Sequence, residues 1–187
     1  MKDKYYYNDS SILDCWDGNK ILHKEDGPAI EYADGDKEYW INGKWHREDG
    51  PAIEFTNGKK YWINGKLHRE DGPAVEYVNG DKYWYINNRL HREDGPAVEF
   101  TNGNKEYWIN GERHREDGPA IEYADGSKEW WINGKLHRED GPAIEFIDSD
   151  KQYWINGKSF IKEEFDIHPV RVNYLFTKAL EKELREG

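Results

Sequence analysis

The sequence contains one cysteine, Cys15, so no disulfide can close within the chain. A lone thiol fits a reducing compartment. The first residues, Met1-Lys2-Asp3-Lys4-Tyr5, carry no apolar run of the signal-peptide kind. The expected location is the cytoplasm. No apolar run approaches the roughly 18 residues that a membrane-spanning helix needs. Basic charge is also short, with 27 Lys and Arg against 38 Asp and Glu, for a net charge of −11. Binding to a nucleic-acid backbone or an anionic membrane needs clustered cations, so neither partner is expected. The charges are interspersed, as in His46-Arg47-Glu48-Asp49, which is the pattern of a solvated surface.

Hydrophobic residues make up only 36% of the chain, yet aromatics reach 15%. The nine Trp and thirteen Tyr must therefore supply much of the buried surface, at roughly 150–250 Å² for each ring. The motifs of nucleophilic and nucleotide chemistry are missing. There is no Gly-x-Ser-x-Gly elbow, no Gly-x-Gly-x-x-Gly and no Walker loop. Neither an enzyme nor a cofactor is expected.

What is present is a repeat. His-Arg-Glu-Asp-Gly-Pro-Ala recurs from His46, His68, His91, His114 and His137, with a variant start at His23, at spacings of 23, 22, 23, 23 and 23 residues. Periods of this length mark solenoids and extended arrays. In each unit two short aromatic and β-branched runs flank Asp-Gly, as at Asp34-Gly35, and Asn42-Gly43 follows. Both dipeptides suit tight turns that need positive φ, so each unit reads as hairpins in an antiparallel meander. Asn88 stands where other units carry the second glycine, and asparagine tolerates the same left-handed backbone.

The second unit is one residue short. A one-residue slip within a strand would turn every later side chain to the opposite face, so the loop must absorb the deletion. This predicts a two-residue loop at Asn57-Gly58 and three-residue loops such as Asp34-Gly35-Asp36 elsewhere. In that register Ile30 lies opposite Trp40, Ile53 opposite Trp62, Trp40 opposite Trp45 and Tyr39 opposite His46. One face then carries Ile30, Tyr32, Trp40 and Trp45, with Val75, Tyr77, Tyr85 and Leu90 as later equivalents, and forms the predicted core. The other carries Ala29, Glu31, Tyr39, Ile41 and His46.

The expected fold is all-β: an elongated, solenoid-like single sheet of hairpin repeats of about 23 residues, with a C-terminal capping helix. A degraded half-repeat occupies 1–22, six tandem repeats occupy 23–160, and a helical cap occupies 161–187. Pro169 ends a short acidic stretch, Lys162 to Ile167. Val172, Leu175, Phe176, Ala179, Leu180 and Leu184 then recur at helical spacing, predicting a helix over about 170–185 that covers the last strand.

The string Trp40-Ile41-Asn42-Gly43-Lys44-Trp45-His46, followed by Gly50, with Tyr32 to Gly35 upstream, resembles the MORN repeat over roughly residues 16–158. Arg-Glu-Asp-Gly-Pro replaces that family's Gly-x-Gly segment, and its Tyr-x-Gly start is missing. The variant is similar to His-Arg-Glu-Asp-Gly-Pro-Ala repeats of bacterial and bacteriophage proteins. The resemblance implies a twisted single-layer β-meander serving as an interaction scaffold. It also implies a bacterial or phage setting, in which the chain antagonises another protein as an antitoxin or anti-defence factor.

The histidines next to acids could ligate metal or act as bases, but they recur in nearly every unit. An active site is one place, whereas a residue on every rung belongs to the lattice, so no metal and no catalysis are expected there. The aromatic slot before each strand isoleucine points away from the Trp40 column. Three arrangements stay open for it: a semi-exposed ladder, a sheet that curls and covers both faces, or two chains packed together. The ladder gives the candidate partner-binding residues Tyr39, His46, Tyr61, His68, Trp84, His91, Tyr107, His114, Trp130 and His137. A protein partner is expected. The alternative is a sponge for a small nucleotide-like ligand, stacked on the rings and held by Arg47, Arg69, Arg92, Arg115 and Arg138, between repeats or at a dimer interface; self-association stays open.

Overall fold

Short β-branched and aromatic runs, each closed by a turn dipeptide, leave room for strands of only two to five residues. A computed structural model describes residues 2–13 and 15–186; Met1, Asp14 and Gly187, which belong to the terminal segments predicted above, lie outside the described residues. The chain is mostly β, an antiparallel meander of hairpins with a helix near its C-terminal end. It forms two compact units, Met1–Thr101 and Asn102–Gly187.

In the first unit a nine-stranded ladder starts from Ile12–Leu13 and Lys4–Tyr6, then runs in chain order from Ile30–Glu31 to Val98–Glu99. In the second a six-stranded ladder runs from Lys105–Glu106 to Lys158–Phe160. Between its ladder strands each middle repeat also makes a separate two-stranded hairpin, such as Trp40–Ile41 with Lys44–Trp45. These hairpins join their neighbours by backbone bonds: Arg47 N–H donates to Trp62 O (3.1 Å) and Gly65 N–H to Trp45 O (2.9 Å). The single sheet expected is thus accompanied by a second hydrogen-bonded row.

The Asn-Gly hairpins have the predicted register, with Trp40 opposite Trp45 and φ of +49° and +72° at Asn42 and Gly43. Asn87 and Asn88 adopt +51° and +66°, so the substituted turn survives. The other loop differs from expectation. Ile30 faces Glu38 and Ile53 faces Lys60, instead of Trp40 and Trp62. The loops are therefore 33–35 and 56–57, one residue earlier than predicted. The reason is the glycine: a three-residue hairpin loop puts its left-handed residue last, and Gly35 (φ +99°) takes that place. The shift preserves parity, so the faces are unchanged. The short loop does absorb the deletion. Elsewhere the residue after the loop glycine accepts from the next repeat, as Thr56 N–H donates to Asp36 Oδ1 (2.8 Å). The second repeat lacks that residue, and Val78 N–H bonds Asn57 O instead (3.1 Å).

Ile30, Ile53, Val75, Val98 and Ile121 are buried, as the core face predicts, and Tyr32 and Trp40 pack against the Ile30 cluster. Yet Ala29, Ala52, Ala74, Ala97, Ala120 and Ala143, on the opposite face, have no exposed surface at all. The sheet is covered on both faces. At the N-terminal end Tyr7 and Leu22 are buried and bridged, and Lys4–Tyr6 extends the ladder.

At the other end helix α1 (Lys162–Asp166) forms in the acidic stretch, and helix α2 (Pro169–Glu186) starts on the proline, which has no N–H to leave unbonded. The predicted helix exists, but the covering of the last strands falls to α1. Phe165 of α1 is 1% exposed and lies 4.8 Å from the Tyr153 ring, whereas α2 has no buried residue.

Candidate functional site: the tetrad loops

Each return from hairpin to ladder is made by the His-Arg-Glu-Asp-Gly-Pro segment, and its side chains have fixed tasks. The histidine Nδ1 accepts the backbone N–H of the asparagine that opens the next tight turn: Asn42 on His23 (3.1 Å), Asn64 on His46 (3.1 Å), Asn87 on His68 (3.3 Å), Asn133 on His114 (3.2 Å) and Asn156 on His137 (3.1 Å). The same imidazoles place Nε2 near the tetrad glutamate, 3.7 Å for His46 and Glu48. His91 forms the corresponding corner of the Arg92 loop.

The arginine closes the loop. Arg47 Nε donates to Asp49 Oδ1 (2.8 Å), and its Nη1 donates to Pro51 O (3.3 Å) and Glu54 Oε1 (2.6 Å). Its guanidinium lies over the Tyr39 ring at 4.1 Å. Arg69 on Tyr61, Arg92 on Trp84, Arg115 on Tyr107 and Arg138 on Trp130 repeat this at 3.9–4.2 Å. In the variant first loop Lys24 covers Tyr6 at 3.6 Å. The arginine bond holds the carboxyls of Asp49, Asp71, Asp94 and Asp117 below their ordinary 3.8. Both carboxylate partners of Arg47, Asp49 and Glu54, lie in the chain segment that the loop joins to its strand.

The ten predicted binding residues are therefore paired repeat by repeat, each histidine's backbone N–H bonded to the carbonyl of its own aromatic residue, and all are half-buried. What faces solvent at the loop tips before the last is the acidic pair: Glu70 and Asp71 side chains are 86% and 84% exposed. Open grooves separate successive loops. In the first unit one of about 610 Å³ lies between the Arg47 and Arg69 loops over Tyr61, and one of about 940 Å³ between the Arg69 and Arg92 loops over Trp84. In the second, one of about 540 Å³ lies between the Arg115 and Arg138 loops over Trp130. Among the described residues no group of three or more His, Cys, Asp or Glu could hold a metal ion.

Sequence reasoning missed a second polar row, inside the aromatic face. Glu38 is buried and accepts from Tyr32 Oη (2.9 Å), Trp40 Nε1 (2.8 Å) and Trp45 Nε1 (2.9 Å). Glu129 likewise accepts from Trp131 and Tyr123. Burial, reinforced by that bond, pushes the Tyr123 phenol up to about 12. The signal available was a glutamate two residues before Trp40, Trp108 and Trp131. Arg113, where other repeats carry Trp or Leu, lies 5.2 Å and 5.3 Å from Trp108 and Trp131 and pairs with Glu106 at 3.5 Å.

Fold and loops together define a tandem β-hairpin repeat protein that presents one loop structure many times. Comparison with protein-family models and with curated proteins found no match. Among the described residues no helix is long and apolar enough to cross a membrane.

Proposed function

We propose that this chain is a non-enzymatic, cytoplasmic protein-binding module that uses its tetrad loops as a repeated contact surface and antagonises another protein. The carrying observation is that the loop tips at Glu48, Glu70, Glu93 and Glu116 are alike and exposed, while their supports are fixed by hydrogen bonds. Such a surface suits recognition spread over several rungs, and none of these loops is chemically singled out for turnover. The bacterial or phage setting, with an antitoxin-like or anti-defence role, is supported by the resemblance to MORN-like tetrad repeats. The nucleotide-sponge alternative is supported less. The grooves have ligand-sized volumes, but Arg47, Arg69, Arg92, Arg115 and Arg138 are each paired with two carboxylates and stacked on a ring.

Affinity capture from the native host, with proteins and small molecules both identified, tests this reading. One protein should be recovered reproducibly. Tyr107→Ala combined with His114→Ala should reduce its recovery, with circular dichroism checking that the chain still folds. A small molecule released on heating, with no protein retained, would favour the sponge instead.

A further inference from the structure

The grooves are not all alike in what lies over them. The groove between the Arg115 and Arg138 loops has the chain's own α2 beside it. Arg171 Nη1 donates to Glu139 O at 2.9 Å, and Tyr174 joins the lining of the groove. The effect is visible at the loop tip: Glu139 and Asp140 side chains are 30% and 51% exposed, against 86% and 83% for Glu116 and Asp117 one loop earlier. Arg171 and Tyr174 are three residues apart, so they project from one side of the helix. Phe176 and Leu180 on α2 stay open, at 66% and 45%. Further along the helix Lys178, Lys182 and Arg185 alternate with Glu181, Glu183 and Glu186, and Lys178 and Lys182 pair with Glu181 and Glu186.

The two grooves of the first unit have the same construction, an aromatic floor between two tetrad loops, with their acidic pairs fully presented. Glu48, Glu70 and Glu93 are 85%, 86% and 85% exposed. We propose that these open grooves receive a basic helix of a partner protein that presents an arginine and a tyrosine three residues apart, in the manner of α2 at the last groove. The inference rests on the protein-binding reading and adds the chemistry of the partner. The loop's backbone carbonyl meets the guanidinium, and the tyrosine lies over the groove. The carboxylates of the loop tips attract the remaining cations, in keeping with a chain of net charge −11.

The test uses the full-length chain and a synthetic peptide, Pro169–Glu186, held helical by a staple across positions 176 and 180, away from the Arg171 and Tyr174 side chains. Calorimetry should show saturable binding. Arg171→Ala or Tyr174→Ala in the peptide should weaken it at least about tenfold, and Glu70→Lys with Glu93→Lys in the protein should do the same, as lost charge-assisted contacts predict. Asp34→Lys, the same charge change per substitution but on a hairpin loop, should leave the affinity unchanged. Absence of binding, or binding indifferent to Glu70→Lys with Glu93→Lys, overturns the proposal. Failure of the wider reading looks different, since the chain would then retain no protein from its host. A retained protein that ignores the two lysine substitutions keeps the wider reading and removes this inference.

Discussion

At the scale of single residues, the fold depends on where buried polar atoms find partners. Glu38 shows the rule, with one carboxylate serving a tyrosine and two tryptophans. The second repeat shows the exception: Lys60 occupies the equivalent position, a lysine accepts nothing, and Trp62 Nε1 is buried without a partner. An unsatisfied buried donor costs about 1–3 kcal/mol. Lys60→Glu should therefore stabilise the chain by about 1 kcal/mol in urea denaturation, through the bond that Glu38 makes to Trp40. A decrease in stability would mean that the indole finds no acceptor at that site. The tryptophan column was legible in the sequence because rings dominate the buried area. The acceptor row was not, because a charged residue in a short strand reads as a solvent-facing one until both faces of the sheet are known to be covered. The histidines show the opposite case. Recurrence pointed to a lattice role, and His23, His46, His68, His114 and His137 each accept the amide of an asparagine held at positive φ.

At the scale of elements, turns were more legible than the joins between them. The Asn-Gly hairpins follow directly from the need for two positive φ angles, and Trp40 lies opposite Trp45 as those dipeptides require. The other loop was placed one residue late because Asp-Gly was centred, whereas its glycine closes the loop. Gly58, the first strand residue after the shortened loop, is the tightest place: a Cβ there would approach Glu76 O to 2.4 Å. The division of labour between the two helices was hidden, since helical periodicity identifies an apolar stripe and not what covers it. That division has a measurable consequence. Phe165→Ala should cost about 3–5 kcal/mol, the usual penalty for emptying a large aromatic site. Phe176→Ser with Leu180→Ser should change stability by no more than about 0.5 kcal/mol, because neither side chain is buried. Equal losses from the two variants would show that α2 closes the last strands as much as α1 does.

At the scale of the whole molecule, two electrostatic effects oppose each other as pH falls. A net charge of −11 near neutrality repels itself, and that repulsion is relieved on the way to the isoelectric point near 5.1. The tetrad loops act in the other direction. Asp49, Asp71, Asp94 and Asp117 have carboxyls held below 3.8 by hydrogen bonds from their arginines. A carboxyl whose folded pKa lies below its unfolded value adds stability above the unfolded value and loses it as pH falls through the folded one. Because the same loop is repeated, these losses coincide over one narrow range, and each frees an arginine from the loop it closes. The denaturation midpoint should therefore hold or rise from pH 7 to about 5, then fall steeply below about 3.8. Asp71→Asn, which keeps the shape and removes one titrating group, should make that fall shallower. A midpoint that keeps rising through pH 3 would show that self-repulsion dominates and that the arginine pairs contribute nothing to the folded state, leaving the loops to be held by the histidine bonds alone.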